Sequence, residues 1–215
     1  MIDLHSHTLF SDGVLLPSEL IYRAKVKGYE AIALTDHGDI STIDFIIPRL
    51  IKVARETSRH YGIKVLPGIE LTYVPVKLIK SMVRKARNLG AKIVLIHGQS
   101  PVEPVPQGTN RAGILAGADI IAHPGNITAE DVKLARDKNV FLEITTRNGH
   151  NKTNAHVAKL AKKHGASLVL NTDTHNPEDL LTRDKINKVL KMSGLKEKDF
   201  EIMQNNARKL TNKLK

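Results

Sequence analysis

Short runs of branched apolar residues alternate along this chain with longer stretches whose apolar positions recur every three or four residues. That alternation predicts parallel strands interleaved with amphipathic helices. Seven such units can be marked off. The strands are read at Ile2 to His5, Ala31 to Thr35, Lys64 to Leu66 running on through Gly68 to Leu71, Lys92 to Ile96, Asp119 to Ala122, Val140 to Ile144 and Ser167 to Leu170. The helices are read at Pro17 to Lys27, Thr42 to His60, Val76 to Asn88, Arg111 to Ala116, Thr128 to Lys138, from Thr153 onward, Pro177 to Met192 and Lys198 to Leu214. Pro17 opens a helix and Gly28, Gly62 and Gly90 close others, while Thr128 with Asp131 three residues on fits a helix start. Pro67 has no N–H for a strand ladder and predicts a kink. The Pro-rich loop from Ser100 to Gly108, at the carboxyl end of a strand, is a candidate substrate lid. No linker interrupts the pattern, and 215 residues suffice for one domain, 1–215, closed as an α/β barrel.

Composition narrows the class. A hydrophobic share of 41% with 26% charged residues is that of an ordinary globular protein. No apolar run reaches the roughly 18 residues of a membrane span, and the polar, histidine-bearing start is no signal peptide, so a cytoplasmic protein is expected. With no cysteine, any metal must be held by nitrogen and oxygen. The net charge of +11 suits an anionic partner such as a phosphate or a nucleic acid, and equally suits a lysine-rich solvated surface. Aromatic residues make up only 4%, with no Trp, so a stacking platform for single-stranded bases is poorly supplied.

The chemistry gathers at the strand ends. The first imidazole or carboxylate after each strand gives His5 and His7, His37, Glu70, His97, His123, then Asp173 and His175, and Asp12 in the first loop brings the set to nine. Singly, each has a structural explanation, as a core histidine, a helix cap or a turn former. Together they occupy equivalent positions, and a parallel barrel brings those strand ends to one face. Imidazoles with carboxylates are the donor set for Zn, Mn or Fe, and nine are too many for one ion.

These residues resemble the successive motifs of the PHP (polymerase and histidinol phosphatase) superfamily: His5-Ser6-His7, Thr35-Asp36-His37, Gly68-Ile69-Glu70, His123-Pro124-Gly125 and Asp173-Thr174-His175. Asn206-Ala207-Arg208-Lys209-Leu210 looks like the closing helix of that family. The resemblance implies a distorted seven-stranded (β/α)7 TIM-like barrel with two or three divalent ions at its carboxyl face. It implies that His5, His7, Glu70 and Asp173 hold one ion, that Glu70 bridges to a second held by His97 and His123, and that Asp12, His37 and His175 take the third. Some relatives carry His where this chain has Asp12. Others, including a ribonuclease P protein subunit, have lost the ligands and only bind RNA, whereas this chain keeps them all.

Such a cluster suits hydrolysis of a phosphomonoester by a metal-bridged hydroxide attacking phosphorus in line, with Glu70, Asp173 and His175 as the catalytic side chains. Arg147 is the best-placed fork for phosphate oxygens and Arg111 a weaker one; Asn148 or His150 is placed against the rest of the substrate. Asp36 is read as an orienting group or cap, Glu143 as half of an interior ion pair with a lysine or arginine, and His60, His156 and His164 as surface residues. The expected activity is a histidinol-phosphatase-like hydrolase of a small phosphorylated molecule. A nuclease or nucleotide phosphoesterase acting on terminal phosphates is the alternative, and a non-catalytic RNA-binding barrel is the third reading.

Overall fold

The computed structural model describes residues 1–213. Its strands are β1 (Ile2–Asp3), β2 (Ala31–Leu34), β3 (His37–Gly38), β4 (Lys64–Leu71), β5 (Ile93–His97), β6 (Ile120–Ala122), β7 (Phe141–Thr145) and β8 (Leu168–Asn171). Between and after them run α1 (Pro17–Val26), α2 (Ile43–Tyr61), α3 (Ile79–Asn88), α4 (Thr109–Ala116), α5 (Ala129–Lys138), α6 (Asn154–His164), α7 (Arg183–Ser193) and α8 (Glu197–Lys213). Every pairing is parallel, in the order β1-β2-β4-β5-β6-β7-β8, and the two-residue β3 pairs separately with β4. The seven-stranded α/β barrel expected from the chain's alternation is therefore the fold.

Strand sequences are nearly all apolar because both faces of the sheet are covered. On β5, Ile93 and Leu95 face the barrel interior while Val94 and Ile96 pack against the helices. The same pleat carries His97 inward at the strand's end. On β7, Leu142 and Ile144 face the helices, which turns Glu143 and Thr145 to the interior.

The barrel closes unevenly. Near the carboxyl ends, Ser6 forms a parallel bridge with Thr174, His7 N donates to Thr174 O at 2.8 Å and Asp173 N to His5 O at 3.1 Å. At the other end, α8 fills the gap beside the short β1. Gln204 accepts from Ile2 N at 2.8 Å and donates to Ile2 O at 3.0 Å, and Asn206 donates to Leu168 O at 2.9 Å. These amides satisfy edge groups that would otherwise be buried without partners.

Four expectations change. The first strand stops at Asp3 because the Asp3 carboxylate turns back to accept His5 N at 3.3 Å. β4 continues through Pro67, whose missing N–H falls where β4 hands over from β2 to β3. The helix expected from Pro177 to Met192 is interrupted. A capping box between Asn176 and Asp179 closes a single 3-10 turn at Pro177–Asp179, Leu180 is extended and buried, and Thr182 caps α7 by accepting from Lys185 N. Val76–Leu78 is likewise a 3-10 turn ahead of α3. Thr128 caps α5 through Asp131 N, as its spacing predicts. Leu214, the expected end of the last helix, lies outside the described residues. Among the described residues no helix is long and apolar enough to cross a membrane.

Candidate metal centre

All nine strand-end residues meet at the carboxyl face, and three overlapping groups can be traced. In the first, His7 Nε2 lies 3.0 Å from His5 Nε2 and 3.1 Å from Asp173 Oδ1, and His5 Nε2 lies 3.5 Å from Glu70 Oε1. In the second, His123 Nε2 is 3.5 Å from the same Glu70 oxygen, and the His97 and His123 rings are 4.4 Å apart. In the third, Asp12 Oδ1 is 3.2 Å from His175 Nε2 and 3.6 Å from His37 Nε2. The ligand atoms within each of the sets His5/His7/Glu70, His5/His123/Asp173 and His7/Asp12/His37/His175 lie within 4.8 Å of one another. Glu70 stands between the first two groups, as a bridging carboxylate must.

The ring orientations suit cations. A carbonyl or carboxylate oxygen only accepts, so each imidazole nitrogen facing one carries the proton. His5 Nδ1 faces Glu143 Oε1 at 2.9 Å, His97 Nδ1 faces Gly98 O at 3.1 Å and His175 Nδ1 faces Asp173 O at 2.9 Å. Nε2 is the nitrogen turned to the cluster; in His97 and His175 it too faces a carboxylate, Glu103 at 3.0 Å and Asp12 at 3.2 Å, so those rings hold a second proton that a cation would replace. Glu70 Oε1 and Asp173 Oδ1 are buried without a hydrogen-bond partner. Such orphaned carboxylate oxygens are costly in a protein interior unless a cation satisfies them. The residues therefore fit divalent metal, and an all-nitrogen-and-oxygen set fits the Zn, Mn or Fe class.

Backbone strain marks the same place. His123 and Asp173 both have positive φ, +27° and +55°, a conformation that L-residues rarely adopt. Nearby, a Cβ on Gly98 would stand 2.2 Å from Ala122 O, so only glycine lets the segment after His97 run this close to the β6 end.

A surrounding set of polar side chains holds these candidate ligands in place. Asp36 accepts from Thr8 N at 2.7 Å and Ser11 Oγ at 2.8 Å, fixing the loop between His7 and Asp12 in the orienting role expected of it. Asp3 accepts from His5 N and from Thr172 N, tying together the two ligand-bearing segments that flank the barrel seam. Thr72 Oγ1 meets His37 Nδ1 at 2.7 Å.

Glu143 corrects the sequence reading. Among the described residues it has no lysine or arginine partner. Its carboxylate instead takes His5 Nδ1, His123 N at 2.9 Å and Asn171 Nδ2 at 2.8 Å. The inward register of 141, 143 and 145 on β7 was the available signal, matching that of 93, 95 and 97 on β5. Asp3, Asn171 and Glu103 were also missed; Glu103, in the 100–108 loop, has an oxygen 3.0 Å from His97 Nε2.

Of the residues assigned to substrate, Arg147, Asn148 and His150 share the loop after β7 and Arg111 is on α4. Arg147, 30% exposed, donates to Asp179 Oδ2 at 3.1 Å, and that carboxylate oxygen also accepts His175 N at 3.0 Å. Arg111 is on α4 and pairs with Asp131 at 2.8 Å. His150 is buried, with its ring centroid 4.2 Å from that of His123. His156 is on the exposed face of α6, bonded to Ile127 O.

Charge in the cluster is set by burial against neighbours. Burial, reinforced by His37 and His5, pulls His7 well below the ordinary imidazole range, and burial with His97 does the same to His123. Burial opposes the charged form of His5 too, but Glu143, Glu70 and Asp173 outweigh it and hold its pKa well above the usual value. His37 is raised to about 9, burial being outweighed chiefly by Glu70. Glu70 is held well below the carboxylate range by His5, His37 and His97 despite burial, whereas burial raises Asp173 to about 6 against the pull of His5. Without metal, the site keeps protons on rings where cations would bind.

Known proteins resemble this chain in sequence and fold. Residues 3–122 match the PHP domain family model. The chain is 44% identical over 201 residues to an uncharacterized protein of Methanocaldococcus jannaschii, covering 93% of this chain and 92% of that one. It is 30% identical over 213 residues to a probable phosphatase of Clostridium novyi, covering 88% and 85%. Among solved structures, a chain of an archaeal ribonuclease P bound to mature tRNA superposes with a TM-score of 0.75 at 20% identity, covering 100% of this chain and 91% of that one. With the family model matching more than half of its residues and a probable phosphatase 30% identical along most of its length, the chain belongs to the PHP-domain family of metal-dependent phosphoester hydrolases.

Proposed function

We propose that the chain, acting as one PHP domain over residues 1–215, is a cytoplasmic phosphomonoesterase of histidinol-phosphatase type, acting on a phosphorylated small molecule. The observation that carries this reading is the convergence of nine nitrogen and oxygen donors around two buried, unpartnered carboxylate oxygens. The 30% identity to a probable phosphatase supports it. His5, His7, Glu70 and Asp173 would hold one ion, Glu70 with His97 and His123 a second, and Asp12, His37 and His175 a third. When bound, the ions supply an activated water for in-line attack and neutralise charge on the phosphoryl group.

The chain's own residues do the rest. Asp173 and His175 are assigned to the leaving-group proton, although as ligands they oppose that role: the ring proton that Asp12 and Asp173 favour on His175 is one that a bound ion would displace. Glu70 stays ionised and shared between the first two groups. Arg147 presents the nitrogens not used by Asp179 to phosphate oxygens. Arg111, engaged by Asp131, is the weaker contact.

A second reading, a nuclease or nucleotide phosphoesterase acting on terminal phosphates, is favoured by one surface. A cavity of about 480 Å³ between α3 and α4 is lined by Lys77, Lys80, Arg84 and Arg87 with no carboxylate in its lining. The spacing puts Lys80, Arg84 and Arg87 on one face of α3, with Lys77 on the turn before it and Arg87 also bonded to Asp119, a row suited to a phosphate backbone. The ribonuclease P likeness lends this reading the same fold.

Purified protein loaded with Mn2+ and assayed against phosphomonoesters including histidinol phosphate, dinucleotides and 5′-phosphorylated short RNA separates the two. The phosphatase reading expects phosphomonoester turnover that chelation abolishes and that His123→Ala removes without unfolding the barrel. Preference for RNA, with steep salt dependence, would transfer the assignment to the second reading. No turnover of any phosphoester would end both.

A further inference from the structure

His150 sits on a 3-10 turn (His150–Thr153) after β7, where its loop position made it a candidate substrate contact. Its surroundings are different from those of a substrate contact. The side chain is 9% exposed, its Nδ1 is buried without a partner, and its ring lies 4.2 Å from His123 and 6.0 Å from His97, centroid to centroid. One nitrogen from each of His97, His123 and His150 lies within 4.8 Å of the others. The same oxygen of Glu103 is 3.0 Å from His97 Nε2 and 3.6 Å from His150 Nε2, so a single donor already spans two of the rings.

The turn is built to hold this ring. Asn154 accepts from Thr145 N at 3.2 Å and donates to Thr145 O at 2.8 Å, while Asn151 N donates to Arg147 O at 3.0 Å, bracing the loop from both sides. Gly149 has φ +89°, and a Cβ there would press on Val102 at 3.2 Å, so glycine lets this turn and the Glu103 loop meet. A histidine that merely filled core space would have both nitrogens bonded, as buried polar groups ordinarily do. Here two adjacent imidazoles, His123 and His150, each keep an unpartnered buried nitrogen.

We propose that His150 is a ligand of the ion held by His97 and His123, and that Glu103, 43% exposed on its loop, is an additional carboxylate donor that substrate displaces. The loop expected to act as a lid then has a chemical tie to the metal. This rests on the metal-cluster reading above.

The test titrates metal-free protein with Co2+, counting bound metal by elemental analysis and following the visible ligand-field absorption. His150→Gln, which keeps bulk in the turn, is compared with His150→Ala, His97→Ala and the double variant, with circular dichroism as the check on folding. The expected result is that both His150 variants weaken one cobalt by more than the roughly 10–100-fold of an outer hydrogen-bonding partner. The band of that cobalt should change, and the double variant should lose no ion beyond the one His97→Ala loses. Glu103→Gln should weaken the same cobalt to a smaller degree. Wild-type stoichiometry, affinity and spectrum in a folded His150→Gln, with only a raised KM, would overturn the proposal and return His150 to the substrate. Failure of the wild-type protein itself to bind cobalt would remove the phosphoesterase reading along with it.

Discussion

His5 Nδ1 stands 2.9 Å from Glu143 Oε1, and neither side chain has any solvent exposure. The contact does two things at once. It fixes which ring nitrogen carries the proton, leaving Nε2 to a cation, and it raises the basicity of that nitrogen by placing a negative charge behind the ring. Because the same carboxylate takes His123 N and Asn171 Nδ2, and Asn171 Oδ1 accepts Leu4 N, one acid on β7 positions ligand segments from three strands.

Glu143→Gln keeps the shape and an accepting oxygen but removes the charge. Mn2+ affinity, measured by calorimetry on metal-free protein, should fall about 10–100-fold, or roughly 1.4–2.7 kcal/mol. An unchanged affinity would mean that the carboxylate serves packing alone.

Metal uptake should release protons. His37 titrates at about 9 without metal and His5, His97 and His175 are also raised, so at neutral pH these rings hold protons that a cation must displace. As pH climbs through about 9 the His37 proton leaves on its own, and apparent affinity should rise with it. Calorimetric titration with Mn2+ in buffers of different ionisation enthalpy should give heats that track the buffer. Heats independent of buffer would contradict the assignment of these rings as ligands.

The units of the barrel were legible because strands covered on both faces read as unbroken apolar runs, as at Ile93 to Ile96. The convergence of the strand-end residues was legible because a parallel barrel converts similar chain positions into one location. What lay hidden depended on contacts across the barrel. Glu143 finds its partners on segments 138 and 20 residues away, which the local pattern around it does not announce. The break after Asp179 was hidden for a related reason. Thr182 to Ser193 reads as helix by itself, and the turn before it is stopped by Asn176 and Asp179 bonding each other and by Leu181 N donating to the distant Tyr29 hydroxyl.

Arg147→Ala tests the phosphate fork. If the guanidinium clamps phosphate in both ground and transition states, KM for a phosphomonoester should rise by more than kcat falls. A fall in kcat with unchanged KM would instead place its effect in Asp179 and the His175 backbone it holds.

The central claim is met most directly by anomalous diffraction at the manganese edge from crystals grown with Mn2+. Two or three peaks should lie among His5, His7, Glu70 and Asp173, between Glu70, His97 and His123, and among Asp12, His37 and His175. A map with no peak inside that ring of side chains, from protein shown to be folded and saturated with Mn2+, would contradict the account.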